Sequence, residues 1–368
     1  MRELLFFVLH PYFPDALGGS ELSFHCLFRE LSARGWRVEV VCARPPDRAA
    51  PRPAGSGDGS PEGGLGYDCH RVPAGQVSAA LVARIEARPP DLVMAGPNHP
   101  VLPMLETIAR AGIPAFFYSR MLEVWTDGTP PDTVSIIANS RVNAEHLARH
   151  HRGPIGLVPP TIDPAWYTVD QRARRFVTFV NPIPVKGLDV AVRVARRLPA
   201  VRFLFVKSRW ASLRHDPDLA AARALPNVEI REPQRDMRPV YAETDILLFP
   251  SQWEETAGRV VIEAQMNGIP VVASPVGGVP AQVGRGGLLV TDKADAAQYA
   301  GAIERLRDDP NLYATLSARA MENAARPEFD LATNVDAFVR FVEDRLDEAY
   351  DRALSADEVK ALARGQRP

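Results

Sequence analysis

Short apolar runs alternate with amphipathic segments along most of the chain. Continuous runs are typical of parallel strands covered on both faces, and the segments between them repeat apolar positions at helical spacing. The first repeat shows the pattern: the strand Leu4–Leu9 ends at His10, Ser20 offers an N-cap, and a helix follows over Glu21–Ala33. The alternation predicts an α/β protein built on parallel sheets.

The same pattern predicts the remaining elements. The other predicted strands are Val38–Cys42, Tyr67–Val72, Asp91–Ala95, Ala115–Tyr118, Val134–Ser140, Phe176–Val180, Val201–Val206, Val228–Ile230, Ile246–Phe249, Ile269–Ala273 and Gly284–Val290. The other predicted helices are Val77–Ala87, Leu102–Ala111, Asn143–His150, Leu188–Arg197, Asp236–Glu243, a segment opening near Gly258, Ala294–Arg307, Asn311–Ala325 and Thr333–Tyr350. Residues 44–66 interrupt the alternation with 11 Pro or Gly among 23 residues, and we predict a mobile surface loop there.

Length and composition narrow the class of protein. A chain of 368 residues suits two domains that each bury a sheet, and we predict their boundary near Trp166–Arg175. Hydrophobic residues make up 46% and charged residues 24%, and the net charge of −2 gives no reason to expect a nucleic-acid partner. The three cysteines lack metal-ligand spacing, which predicts buried, reduced thiols. The apolar run after Met1 is too short for a secretory signal or a membrane span, so we predict a cytoplasmic protein and leave peripheral membrane contact open.

The chemistry concentrates in Thr244–Val283. This stretch predicts a strand, a polar loop, a helix, a second strand and a glycine-rich turn, with Glu255 in the loop and Glu263 on the helix. Unpaired N–H groups at the start of such a helix favour anions, so phosphate is the first ligand to consider. The alternative is that both acids are ordinary exposed residues, which is the commonest environment of glutamate.

The spacing of Glu255 and Glu263 resembles the E-x7-E motif of retaining glycosyltransferases of the GT-B fold, in the group 1, family 4-like set that uses nucleotide-diphosphate sugars. The resemblance implies that Glu255 contacts hydroxyls of the donor sugar and that Glu263 binds the ribose. It further implies that the diphosphate is held by the loop backbone of Thr256, Ala257, Gly258, Arg259 and Val260. Ala257 stands where the family usually has a bulky aromatic residue, which would loosen the loop or enlarge the sugar pocket.

Lys186 with Gly187 matches the family's Lys-Gly pair, whose lysine contacts the diphosphate. The family's companion arginine, five residues earlier, is Asn181 here, so one positive charge is missing from the implied clamp. Lys207 or Arg209 is a candidate to replace it. The turn that begins at Ile230 is where family members pack the nucleobase.

Candidate residues also follow strands in the first half. Gly18 and Gly19 match the family's N-terminal glycine loop, although glycines in such turns often serve packing only. Glu21 is a first-turn acid favoured by the helix dipole or an acceptor contact. His99 and Arg120 follow predicted strands, where such sheets place chemistry. The alternative for His99 is a capping or packing role, and Arg120 replaces a family histidine and suits a phosphate or an anionic acceptor.

The resemblance implies a GT-B fold: two Rossmann-like domains facing across a cleft, with a C-terminal helix crossing back. We predict an acceptor-side domain over 1–168, a nucleotide-sugar-binding domain over 169–328, and a helix returning to the first domain over 329–368. The implied activity is a retaining transfer of a sugar from a UDP- or GDP-linked donor to a small-molecule or glycan acceptor, without cofactor or metal. His146 and His150 have metal-like spacing but lack an acidic or Cys partner. Two alternatives stay open: a catalytically reduced nucleotide-sugar-binding subunit, and an epimerase or coupling enzyme acting on a nucleotide sugar.

Overall fold

The computed structural model describes residues 1–45, 64–96, 101–122, 131–208 and 216–363, with side chains described up to residue 348. Contacts divide the chain into two compact units. The first unit comprises Met1–Asp15, Leu27–Val158 and Asn334–Pro368, and the second comprises Ala16–Cys26 and Pro159–Thr333. Most of the loop predicted over 44–66 lies outside the described residues.

The first unit is built on a seven-stranded sheet in the order β3-β2-β1-β4-β5-β6-β7, and its paired strands are parallel. The strands are β1 Glu3–Pro11, β2 Arg37–Ala43, β3 Asp68–Val72, β4 Leu92–Ala95, β5 Ala115–Ser119, β6 Ser135–Ala138 and β7 Ile155–Leu157. The central strands β4, β5 and β6 are buried throughout, as their continuous apolar runs predict. β7 has only three residues and includes the exposed Leu157, so its apolar signal was too weak to predict it.

Helices lie between several of these parallel strands along the chain. They are α1 Gly19–Ala33, which belongs to this unit from Leu27, α2 Val77–Ala87, α3 Leu102–Arg110 and α4 Arg141–Leu147. The long C-terminal helix α12 covers Leu331–Ala363, further than the predicted end at Tyr350. From Asn334 it belongs to the first unit, where the ring of Phe341 lies 6.1 Å from that of Phe116 on β5. A Cβ on Gly156 would lie 2.5 Å from the Phe341 ring, so glycine in β7 makes room for this helix.

The second unit is built on a six-stranded parallel sheet in the order β10-β9-β8-β11-β12-β13. The strands are β8 Phe176–Val180, β9 Phe203–Val206, β10 Val228–Arg231, β11 Thr244–Phe249, β12 Val271–Ala273 and β13 Gly287–Leu289. The helices are α5 Leu188–Arg197, α6 Pro217–Arg223, α7 Arg238–Glu243, α8 Arg259–Gln265, α9 Val279–Val283, α10 Ala296–Asp308 and α11 Pro310–Ala324. The sheet is covered on both faces, by a cluster that includes α5 and α10 and by another that includes α8 and α9. Both units are therefore Rossmann-like, as predicted.

Candidate functional site

Lys186 and Glu255 meet beside the carboxyl ends of the second sheet. The Lys186 ammonium donates to Glu255 Oε1, and Ser251 Oγ donates to the same oxygen at 2.8 Å. Glu255 is 8% exposed, so it is not the ordinary surface acid of the alternative interpretation. Gly187 ends the turn of Lys186 with φ of 84°, and an added Cβ there would lie 2.0 Å from the Pro250 carbonyl oxygen. Only glycine lets this turn lie against the Glu255 loop, which explains the Lys-Gly pair.

The glycine turn after β12 holds the backbone of the Glu255 loop. Gly278 N–H donates to the Glu255 carbonyl oxygen at 2.6 Å, and Gly277 N–H donates to Glu254 Oε2 at 2.9 Å. A Cβ on Gly277 would lie 2.1 Å from the Glu255 carbonyl oxygen, and one on Gly278 would lie 2.3 Å from that of Thr256. The two glycines are thus required for this close backbone approach.

The loop continues into the short helix α8 through Gly258. Gly258 N–H donates to Gln282 Oε1 from α9, so one of the five amides implied to hold a diphosphate has a protein partner in this structure. Ala257 is half-buried, and Val260 packs against the apolar cluster beneath α8. The implied role of the loop amides stays a prediction.

Glu263 is buried on α8, at 4% exposure, with a donor on each carboxylate oxygen. Tyr241 Oη donates to Oε2 at 2.7 Å, and Arg259 Nε donates to Oε1 at 3.2 Å. Burial, reinforced by the nearby Glu263 charge, raises the pKa of Tyr241 well above its usual value, so the phenol stays protonated and acts as the donor.

Arg259 contributes a buried guanidinium as well as a loop amide. Its Nη1 donates to Ser23 Oγ and to the Thr161 carbonyl oxygen, both at 2.7 Å, and its Nη2 donates to Tyr167 Oη at 2.9 Å. Burial raises the pKa of Tyr167 although Arg259 opposes this effect, so Tyr167 is a neutral partner. A Cβ on Gly19 would lie 3.2 Å from Arg259 Cδ. Side chains from three separated stretches of sequence therefore meet here within the second unit.

The predicted replacement for the missing arginine has a different partner. Lys207 Nζ binds both carboxylate oxygens of Glu232, at 2.8 and 3.0 Å, and Arg209 lies outside the described residues. Asn181 has φ of 62°, in the left-handed region that asparagine tolerates better than most residues. Its Oδ1 accepts from Ser208 Oγ at 2.5 Å. Asn181 thus suits its backbone conformation, and the charge compensation stays a hypothesis.

The candidates of the first half have separate environments. His99 lies outside the described residues. Arg120 follows β5 in the first unit, is 8% exposed, and lies 4.1 Å over the Tyr118 ring. A Cβ on Gly18 would lie 2.3 Å from Glu21 Oε2, so this glycine leaves room for a first-turn side chain of α1. Their ligand contacts stay predictions.

Two further predictions concern the nucleobase and metals. Ile230 lies on the edge strand β10 and packs partly against the core of the second sheet, and its contact with a nucleobase stays a prediction. His146 and His150 have ring centroids 5.4 Å apart, and the described residues contain no group of three or more metal-ligating side chains.

Sequence reasoning did not identify the side chains that hold the two glutamates. Ser251 and Tyr241 donate to them directly, Gln282 caps Gly258, and the Arg259 guanidinium joins Glu263. The i, i+4 spacing of an arginine and a glutamate on one helix was a usable signal for the last pair. The others come from elements distant in sequence and have no local signature.

Known proteins match this chain in sequence and in fold. Residues 174–309 match a family model described as Glycosyl transferases group 1. A D-inositol 3-phosphate glycosyltransferase of Mycolicibacterium smegmatis is 33% identical over 245 residues, which cover 60% of this chain and 53% of that protein. One from Mycolicibacterium vanbaalenii is 35% identical over 238 residues, covering 55% and 51%. The chain spans about half the length of the curated relatives it matches.

Solved structures match nearly the whole chain. Sucrose-phosphate synthase from Thermosynechococcus elongatus has a TM-score of 0.75 at 19% identity, covering 97% of this chain and 100% of that one. Anabaena HepE in complex with UDP and glucose has a TM-score of 0.73 at 19% identity, covering 93% and 100%. These similarities confirm the predicted GT-B fold class. Within the described residues, no helix is both long enough and apolar enough to cross a membrane.

Proposed function

We propose that this chain, in which residues 174–309 match the Glycosyl transferases group 1 model, transfers a sugar from a nucleotide-diphosphate sugar to an acceptor, with retention of anomeric configuration. The observation that carries the proposal is the ion pair between the partly exposed Lys186 ammonium and the buried Glu255 carboxylate, held between the Gly187 turn and the Gly277 turn within residues 174–309. A lysine beside a buried carboxylate, both on glycine-fixed backbone, offers a cation for a diphosphate and an acceptor for sugar hydroxyls.

The donor roles follow the family resemblance. Glu255 contacts the sugar, Lys186 and the loop of residues 256–260 hold the diphosphate, and Glu263 binds the ribose. Lys186 is paired with Glu255 in this structure, so a diphosphate would compete for the ammonium and free the carboxylate for sugar hydroxyls. Gly258 N–H would likewise exchange Gln282 for a phosphate oxygen. The geometry supports these roles because both glutamates are already desolvated and oriented by the protein.

The proposed reaction breaks the bond between the sugar C1 and the diphosphate oxygen and forms a bond from the acceptor oxygen to C1 on the same face. The acceptor proton passes to the departing diphosphate. The main task of the protein is to stabilise the developing charge of that leaving group, and a positioned ammonium does this best where water is excluded. We propose that no metal ion takes part, so turnover should survive addition of EDTA.

The experiment is nucleoside diphosphate release, followed by mass spectrometry, from UDP- and GDP-sugars with a panel of acceptors. D-inositol 3-phosphate belongs in the panel because the curated relatives are named for it. Lys186→Ala should weaken donor use far more than the matched control Lys207→Ala, whose ammonium is bound to Glu232. Equal or reversed effects would refute the role of Lys186.

The same measurement separates the alternative functions. Binding of nucleotide sugar without turnover, for every acceptor, would favour a reduced binding subunit. A sugar that changes while still attached to its nucleotide would favour an epimerase.

A further inference from the structure

Five residues of the second unit form a cluster around one guanidinium. The Arg259 cluster consists of Ser23, Thr161, Tyr167, Arg259 and Glu263. Its members come from the start of α1, the segment before β8 and the helix α8, so residues up to 236 positions apart in sequence are joined. Hydrogen bonds between residues so far apart in sequence form only when the chain adopts its tertiary structure, so they constrain how α1, the segment before β8 and α8 are arranged.

The guanidinium geometry is specific to arginine. Arg259 is 7% exposed, and Nε, Nη1 and Nη2 all donate to protein oxygens within 2.7 to 3.2 Å. The planar guanidinium has N–H donors on three nitrogen atoms and can bind acceptors in several directions at once, whereas the lysine ammonium has its donors on one nitrogen atom. Glu263 is the carboxylate of the cluster, so the buried positive charge is paired.

Thr161 also contacts the start of α1 directly. Its Oγ1 donates to the Ser23 carbonyl oxygen at 2.6 Å. A Cβ on Gly19 would lie 3.2 Å from Arg259 Cδ, and the predicted approach of Gly19 to a ligand stays a prediction. Ser23 is thus tied to α8 through its hydroxyl and to the segment before β8 through its carbonyl oxygen.

We propose that Arg259 is a positioning residue for nucleotide binding: it fixes the Glu263 carboxylate and ties the start of α1, residues Gly19–Ser23, to α8. The inference rests on the proposed function and adds a residue to it. Tyr241 fixes one oxygen of Glu263 and Arg259 the other, so neither oxygen rotates freely and each keeps a lone-pair direction for a ribose hydroxyl. Loss of Arg259 would leave the carboxylate held from one side only.

The test compares Arg259→Lys with Arg326→Lys, an arginine-to-lysine control whose guanidinium binds the Ala281 carbonyl oxygen outside this cluster. Arg259→Lys keeps the charge and removes the planar guanidinium, so the donor KM and the Kd for UDP should rise about tenfold while kcat and acceptor KM stay within a few-fold. Arg326→Lys should leave all four values unchanged. Hydrogen exchange of residues 19–26 in the nucleotide-free protein should accelerate in Arg259→Lys only.

Each outcome decides the inference. If the wild-type chain and Arg259→Lys bind UDP equally well, the inference is overturned. It is also overturned if Arg259→Lys loses kcat, acceptor affinity and thermal stability in parallel, because that is the effect of a residue with a purely structural role. If Arg259→Lys fails to fold, Tyr167→Phe removes one hydrogen bond of the cluster and should raise the donor KM alone. A wild-type chain that binds no nucleotide would refute the proposed function and the donor role together. Hydrogen exchange would then still support or overturn the tie to residues 19–26.

Discussion

Replacing Gly277 with alanine should displace the loop that carries Glu255. Gly277 has φ of 51°, and its added Cβ would lie 2.1 Å from the Glu255 carbonyl oxygen, whereas real Cβ contacts essentially never fall below 3.0 Å. The obstacle is backbone on a loop already fixed by the Gly278 hydrogen bond, so no side-chain rotation relieves it. The two segments must therefore separate by roughly 1 Å.

Two effects add in this variant. A left-handed backbone costs an alanine about 1–2 kcal/mol in free energy of unfolding. A misplacement of about 1 Å in a group that positions substrate lowers the rate roughly 100-fold. Gly112→Ala is the matched control, because Gly112 has φ of 85° and an added Cβ there would meet nothing within 4 Å.

Urea unfolding and donor-dependent release of nucleoside diphosphate together measure both effects. Gly112→Ala should lose about 1 kcal/mol in unfolding free energy and keep its kcat/KM. Gly277→Ala should lose more stability and lower kcat/KM by about 100-fold. Identical results for the two variants would refute the claim that the close approach at Gly277 positions Glu255.

Three further predictions concern single contacts. In urea unfolding, Asn181→Arg should be less stable than Asn181→Gly by about 1 kcal/mol, because glycine adopts the left-handed backbone conformation of residue 181 without strain and arginine does not. Equal stability of the two variants would contradict this conformational explanation. Gln282→Ala should lower the free energy of unfolding by about 1–3 kcal/mol, because the buried Gly258 N–H loses its acceptor, and a loss below 0.5 kcal/mol would count against that role. Asp330 accepts from Thr333 N and Oγ1 at 2.8 Å, and these bonds lower the pKa of Asp330 from its usual 3.8. Asp330→Ala should therefore cost about 1 kcal/mol at pH 7, and the difference from wild type should shrink as pH falls below 3.8 through the folded-state pKa; a difference that is the same at pH 7 and at acid pH would contradict it.

Both sheets were predictable from the sequence because their central strands are continuous apolar runs buried on two faces and amphipathic helices separate most of them. The elements it missed are the ones with weak periodicity. β7 has three residues with one of them exposed, and α9 is a five-residue helix that contains Pro280. The extension of α12 beyond Tyr350 follows a charged segment with few apolar positions, where no core pattern marks the end of a helix.

The motif named Glu255, Glu263 and Lys186 by residue type and spacing, and their ligand roles stay predictions. Their burial and their hydrogen-bond partners depend on residues distant in sequence and were not predicted. The interpretation of Asn181 as a missing charge stays a prediction, and the left-handed backbone conformation that also favours asparagine there had no sequence signal. The Arg259 guanidinium depends on acceptors from α1 and the segment before β8, which only the folded chain brings together.

The most direct test of the central claim is a crystal structure of the chain with a bound UDP-sugar. The account predicts that the Lys186 ammonium leaves Glu255 Oε1 for a diphosphate oxygen, that Glu255 binds sugar hydroxyls, and that Glu263 binds the ribose while still accepting from Arg259. A nucleotide bound away from these three residues, with the Lys186–Glu255 pair intact, would contradict it.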